Sequence, residues 1–174
     1  RPATVAGGPD PGPEPGEGAS CEHGGRATCI TGRDGPEPDT LYWAVGTPGP
    51  DWDWTVREGD DLYSCSVIAL DPATGKLKWH YQFTPADSHD WDSTETPILV
   101  DGDFQGKPRK LVLHADRNGY SYALDRLTGE QLVTSKFSEA ANWVKETNPK
   151  GQTIRDPETD STLAGGRGPR NPLA

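Results

Sequence analysis

Apolar residues in this chain come in short runs, each of about four to eight residues, separated by clusters of Gly, Pro, Asp and Asn. Thr40–Val45 (Thr-Leu-Tyr-Trp-Ala-Val) reads as a strand that stops at Gly46. Ser64–Leu70, Lys76–Phe83, Pro97–Val100, Arg109–His114, Tyr120–Leu124 and Glu130–Phe137 read the same way. The pattern places one turn at Asp101-Gly102-Asp103 and another at Asp116-Arg117-Asn118-Gly119. Thr47–Asp61 and Thr84–Glu95 are polar loops, and Ala140–Lys145 fits either a short helix or an irregular loop. Residues 1–23 are rich in Gly and Pro and lack periodicity, and residues 146–174 are polar; both predict irregular chain around a strand-rich stretch, 24–145.

One hairpin occurs twice. Residues 69–79 read Ala-Leu-Asp-Pro-Ala-Thr-Gly-Lys-Leu-Lys-Trp, and residues 123–129 read Ala-Leu-Asp-Arg-Leu-Thr-Gly, 54 positions further on. In each copy the Asp side chain (Asp71, Asp125) can cap the turn and the Gly (Gly75, Gly129) supplies the positive φ that closes it. A hairpin recurring at this period marks a repeat array of the β-propeller kind. About seven or eight strands at four per blade make two blades. The fold class is therefore all-β, a partial propeller with open edges. Such a piece needs the rest of the array to bury its blade faces, so weak cooperativity and no activity are expected of these 174 residues alone.

Composition adds limits. Hydrophobic residues are 32% of the chain, against 21 Gly and 17 Pro, which is thin for a self-sufficient core. The formal charge of −10 disfavours nucleic acid and anionic membrane as partners. No apolar run is long enough to span a bilayer, and the opening Arg1-Pro2-Ala3-Thr4 has no signal-peptide character. The three cysteines, 21, 29 and 65, form no Cys-x-x-Cys and read as unpaired thiols.

The densest chemistry lies in Thr84–Asp92, where Asp87, Asp90 and Asp92 stand with His89. Carboxylates suit a hard cation such as calcium, and one beside a bound cation can take a proton from a hydroxyl. On composition alone the same residues also describe an ordinary solvated loop.

Several segments in order carry a resemblance: Gly24–Gly32, Tyr42–Pro50, the first repeat, Thr84–Asp92, and His114–Gly119 leading into the second repeat. Together they resemble the pyrroloquinoline quinone (PQQ) dependent alcohol and methanol dehydrogenases, whose fold is an eight-bladed propeller with the cofactor on its axis. The chain then looks like an internal fragment of that propeller. The repeat is similar to the family's tryptophan-docking motif, with Trp79 in the docking position and Val133 at its place in the second copy. The resemblance implies a metal-assisted enzyme oxidising a primary alcohol by hydride transfer to the quinone. It puts Asp90 at the catalytic base, Arg117 at the cation that contacts the quinone oxygens, and Asp92 at the extra carboxylate of the lanthanide-dependent branch. Thr47 stands where the family has an Asn metal ligand, and Cys29 where it has the Trp that floors the cofactor. Implied metal ligands are Thr47, Asp90 and Asp92, for calcium or a lanthanide ion; the family's Glu ligand finds no counterpart, which implies an incomplete metal site within these residues. A cytochrome c or quinone acceptor and a periplasmic location also follow from the resemblance. The departures at 29 and 47 keep two other readings open: a non-catalytic propeller scaffold of the outer-membrane-assembly type, and an inactive truncated product.

Overall fold

A computed structural model describes residues 28, 32–37, 39–50, 57, 59–148, 152–156 and 159. Among them the chain forms ten strands. Four make the first antiparallel sheet, in the order β1 (Arg33–Gly35), β2 (Thr40–Val45), β3 (Ser66–Leu70) and β4 (Leu77–Gln82). Four more make a second sheet of the same simple up-and-down order: β5 (Ile98–Phe104), β6 (Lys107–Ala115), β7 (Tyr120–Asp125) and β8 (Gln131–Lys136). A hairpin of β9 (Val144–Thr147) and β10 (Thr153–Arg155) follows. Each four-stranded sheet is one blade.

The repeated turns form as their residues dictate. Asp71 Oδ1 accepts hydrogen bonds from the backbone N–H groups of Ala73 (3.1 Å) and Thr74 (2.8 Å) and from the Thr74 hydroxyl (2.8 Å). Asp125 Oδ1 does the same for Leu127 (2.9 Å) and Thr128 (3.2 Å). Gly75 and Gly129 take φ of 70° and 75°, the left-handed region that a Cβ disfavours.

The core lies between the two sheets. Tyr42, Val67, Ala69 and Tyr81 from the first pack with Val112, Tyr120, Tyr122 and Leu124 from the second, and Phe83, Trp91 and Trp143 complete the cluster. Trp79 locks one blade to the next. Its indole Nε1 donates to the carbonyl of Arg126 (3.2 Å), and its ring lies over Gly129, where a Cβ would come within 2.6 Å of the ring. The equivalent position in the second blade, opposite Ala123 as Trp79 is opposite Ala69, holds Val133.

Three features differ from the sequence pattern. Strand β5 runs straight through Asp101-Gly102-Asp103, and the turn falls at Gln105 and Gly106, with φ of 54° and 76°. Two consecutive positive φ values suit a two-residue hairpin between right-twisted strands, and Asp103 Oδ1 caps it through the Gly106 N–H (2.8 Å). Strand β1 had no apolar run to announce it. The β9–β10 hairpin occupies chain whose polarity predicted irregular structure; the Thr153 hydroxyl fastens it by donating to the carbonyl of Phe83 (3.2 Å). Its first strand follows Trp143, so Ala140–Lys145 is loop and strand rather than helix.

Candidate active site

Three loops at one end of the blades meet: the one after β2, the one after β4, and the β6–β7 turn. Each is held by buried polar groups. In the loop after β2, Thr47 is buried, and its hydroxyl donates to Asp87 Oδ2 at 2.7 Å. The buried Arg57 guanidinium braces the same loop by donating to the carbonyls of Pro48 (3.4 Å), Pro50 and Asp87 (2.7 Å), with Asp61 as its ion-pair partner at 2.8 Å.

Asp87 organises the loop after β4. It is fully buried, and Oδ1 accepts the His89 N–H (2.9 Å) while Oδ2 accepts the Thr47 hydroxyl, the Trp91 N–H (3.0 Å) and the Cys65 thiol (3.4 Å). Burial alone pushes its carboxyl up; the His89 ring nearby (Nδ1 at 3.8 Å) and the converging donors outweigh that and hold it below the ordinary carboxylate value. Around this anchor Ala86, Asp90 and Asp92 have φ of 47°, 59° and 50°. Left-handed non-glycine residues cost about 1–3 kcal/mol each and persist only where the surroundings impose them. The imposed shape turns Asp92 back onto Thr47. The Thr47 N–H donates to Asp92 Oδ1 (3.1 Å), and the Asp92 N–H donates to Thr47 Oγ1 (3.1 Å).

The β6–β7 turn supplies Arg117. Its neighbours Asp116 and Asn118 are wholly buried, whereas the Arg117 side chain is 41% exposed. Asn118 accepts the Tyr120 N–H (3.0 Å) and donates to Thr84 Oγ1 and Tyr122 Oη (both 3.0 Å), and its carbonyl accepts the Trp143 indole N–H (2.7 Å). The turn is thus nailed down on both sides of an arginine that reaches outward. Its Nη1 lies 3.6 Å from Asp92 Oδ2, an ion pair beyond direct hydrogen-bond length.

Thr47, Asp92 and Arg117 therefore come together from three separate loops. Asp90 lies in the same loop as Asp92, half-buried. Cys29 falls outside the described residues, and Cys65 is a buried free thiol whose pKa burial raises, with the Asp87 and Asp116 charges adding to the effect. Asp87 and Arg57 are the supports that residue type did not reveal as such. Close by in sequence, Glu95, His114 and Asp116 form a second cluster. His114 Nε2 is 3.5 Å from Glu95 Oε2 and 3.3 Å from Asp116 Oδ2, and the three ligand atoms lie close enough to face one cation. Burial, then the Asp116 charge, pushes the Glu95 carboxyl up to about 7, against the pull of His114 and Arg117.

The donor set fits a hard cation. The single hydrogen of the Thr47 hydroxyl is committed to Asp87 and one acceptor direction to Asp92 N–H; the Cys65 sulfur, 3.9 Å away, gives its hydrogen to Asp87, so one lone pair is left, beside a carboxylate whose Oδ2 is only loosely held by Arg117. The outward guanidinium fits an anionic or quinone oxygen.

Known proteins bear on this arrangement. The profile of the PQQ-type glucose/ethanol/alcohol dehydrogenase β-propeller domain matches residues 28–153. The chain is 44% identical over 121 residues to a quinohemoprotein alcohol dehydrogenase of Comamonas testosteroni, covering 68% of this chain and 17% of that protein. It is 42% identical over 127 residues to a lanthanide-dependent methanol dehydrogenase of Methylorubrum extorquens, covering 73% of this chain and 21% of that one. A solved europium-containing methanol dehydrogenase superposes with a TM-score of 0.80 at 36% identity, over 89% of this chain and 27% of its own. The chain belongs to the PQQ-dependent alcohol dehydrogenase family, and its two four-stranded sheets are blades of that family's β-propeller. It spans about a fifth of the length of the curated relatives it matches.

Proposed function

We propose that this chain forms part of the active site of a PQQ-dependent dehydrogenase that oxidises a primary alcohol with the help of a bound calcium or lanthanide ion. The observation that carries the reading is the meeting of Thr47, Asp92 and Arg117, three positions that the resemblance assigns to metal, carboxylate and cofactor roles. PQQ, when bound, supplies the hydride acceptor. Thr47 Oγ1 and the Asp92 carboxylate hold the cation, which favours a negative ligand. Arg117 offers its guanidinium to the quinone oxygens.

The alcohol proton goes to a carboxylate oxygen in the Thr84–Asp92 loop. The resemblance assigned that base to Asp90. Asp92 is already engaged by Thr47 and Arg117, which suits a cation ligand, and we take Asp90 as the base, facing the same cation with Thr47 and Asp92. Electrons leave to a cytochrome c or a quinone, the former being what the name of one relative suggests, a 1-butanol dehydrogenase (cytochrome c) from Thauera butanivorans. We place the protein in the periplasm, and we expect the rest of the propeller to be needed for turnover. A non-catalytic scaffold has no use for a cation-facing hydroxyl, a carboxylate and an outward arginine assembled at one end of the blades. The test is turnover of the full-length gene product, loaded with PQQ and europium or calcium, on primary alcohols with an artificial electron acceptor. Alcohol-dependent reduction supports the reading; cofactor uptake without reduction of the acceptor by any alcohol contradicts it.

A further inference from the structure

We propose that Asp87 is a positioning residue that fixes the polarity of the Thr47 hydroxyl, so that Thr47 presents a lone pair to the cation at the position where the resemblance implies an asparagine oxygen. The inference deepens the cation reading above and rests on it.

A threonine hydroxyl is ambiguous. It carries one hydrogen and two acceptor directions, and its rotor turns to suit its neighbours. An amide oxygen has no such freedom, because it only accepts. A threonine ligand is therefore useful only if something takes its hydrogen away from the cation. Asp87 does this. Its Oδ2 sits 2.7 Å from Thr47 Oγ1, the short separation of a hydroxyl donating to an ionised carboxylate. Asp87 is fully buried and receives three further donors, so neither the carboxylate nor its orientation is free to change. The Asp92 N–H then takes one acceptor direction of Thr47 Oγ1 at 3.1 Å. The Cys65 sulfur also lies 3.9 Å from Thr47 Oγ1, but its one hydrogen goes to Asp87 Oδ2 at 3.4 Å, so one lone pair remains, on an oxygen already tied to Asp92. The same Asp87 oxygen also holds the Trp91 N–H, adjacent to Asp92. One buried carboxylate thus sets both proposed ligands.

The chemistry of substitution at Asp87 gives a specific pattern. In Asp87→Asn the amide oxygen will face Thr47, because three donors converge on Oδ2 and one on Oδ1. Hydroxyl polarity is then kept although the charge is lost. In Asp87→Ala the acceptor is gone and the hydroxyl hydrogen is free to turn toward the cation.

The experiment is europium titration of the full-length gene product, read by luminescence, with lifetimes in H2O and D2O counting the waters on the ion. Asp87→Ala should weaken europium binding by about 10–100-fold, the usual loss on removing an outer-shell partner, and add about one water as the Thr47 oxygen leaves the ion. Thr47→Val should do the same, Thr47→Ser should bind like the parent, and Asp87→Asn should recover most of the affinity and the parent water count. Asp87→Ala with Thr47→Val should lose no more than either alone. Additive losses, or Asp87→Asn as weak as Asp87→Ala, would overturn the proposal. Should Asp87→Ala not fold, Thr47→Val decides: unchanged affinity and water count would overturn it. Absence of europium binding in the parent protein overturns the cation reading itself, an outcome distinct from binding without coupling to Asp87.

Discussion

Thr47 and Asp92 exchange two hydrogen bonds, backbone N–H to side-chain oxygen in both directions, each 3.1 Å long. The pair closes the loop after β2 onto the loop after β4 and leaves Asp92 Oδ2 pointing at Arg117. Because the Thr47 side of the pair needs a hydroxyl or other acceptor at that place, the two loops cannot be varied independently.

The first prediction concerns the two carboxylates. Asp90→Asn removes the base while leaving the Thr47–Asp92 pair in place, and turnover should fall by at least about a hundredfold, the scale of losing a general base. Asp92→Asn, which removes only the charge that faces Arg117, should slow the loaded enzyme less than Asp90→Asn does. Steady-state rates of the two variants, compared at equal cofactor and metal loading, check this; the reverse order would move the base to Asp92.

Trp79 and Gly129 give a stability prediction. Gly75 and Gly129 have nearly the same φ, 70° and 75°, but a Cβ on Gly75 meets open space, and one on Gly129 meets the Trp79 ring at 2.6 Å. Alanine at Gly75 should cost about 1 kcal/mol for backbone strain. Alanine at Gly129 should cost about 2 kcal/mol more, because the indole must move off its seat and its bond to the Arg126 carbonyl stretches. Trp79→Ala should cost about 2–4 kcal/mol. Urea melts of the three variants would show it, and equal losses at the two glycines would mean that the indole does not hold the blades together.

Glu95 makes stability depend on pH. Its carboxyl, raised from 4.5 to about 7 by burial and by Asp116, binds its proton more tightly folded than unfolded. The stabilisation is complete below the unfolded value and is lost as pH rises through the folded one, so the window is about pH 4.5 to 7. With a third of the side chain exposed, the discounted effect is about 1–2 kcal/mol. Glu95→Gln, which cannot ionise, should remove this fall while leaving the contributions of other groups. Melts of both proteins from pH 5 to 8 check it: parallel curves would show that Glu95 does not titrate in this window.

Much of the blade architecture was legible locally. Asp71, Gly75, Asp125 and Gly129 announce their turns because each turn is built from the residues within it. The β5–β6 turn was misplaced because Asp101-Gly102-Asp103 has turn composition, yet its residues pair with Lys110, Arg109 and Pro108 on the neighbouring strand. Hairpin β9–β10 was hidden because its anchors are distant: Thr153 reaches Phe83 and Arg155 reaches Ser88, some 70 positions back. In the site, the type and order of Thr47, Asp92 and Arg117 were readable only through a resemblance. The burial of Asp87 was not readable at all, since an aspartate among aspartates in a polar loop looks solvated until its donors are in place.

The most direct test of the whole account is reconstitution of the full-length gene product with PQQ and europium, followed by its absorbance spectrum and cofactor stoichiometry, for the parent and for Arg117→Ala. A quinone-like spectrum with one PQQ per propeller, weakened by at least tenfold in affinity in the variant, is the expected result. A parent protein that takes up no PQQ with either europium or calcium would contradict the account, and would leave these blades as the scaffold of a protein that has lost its cofactor.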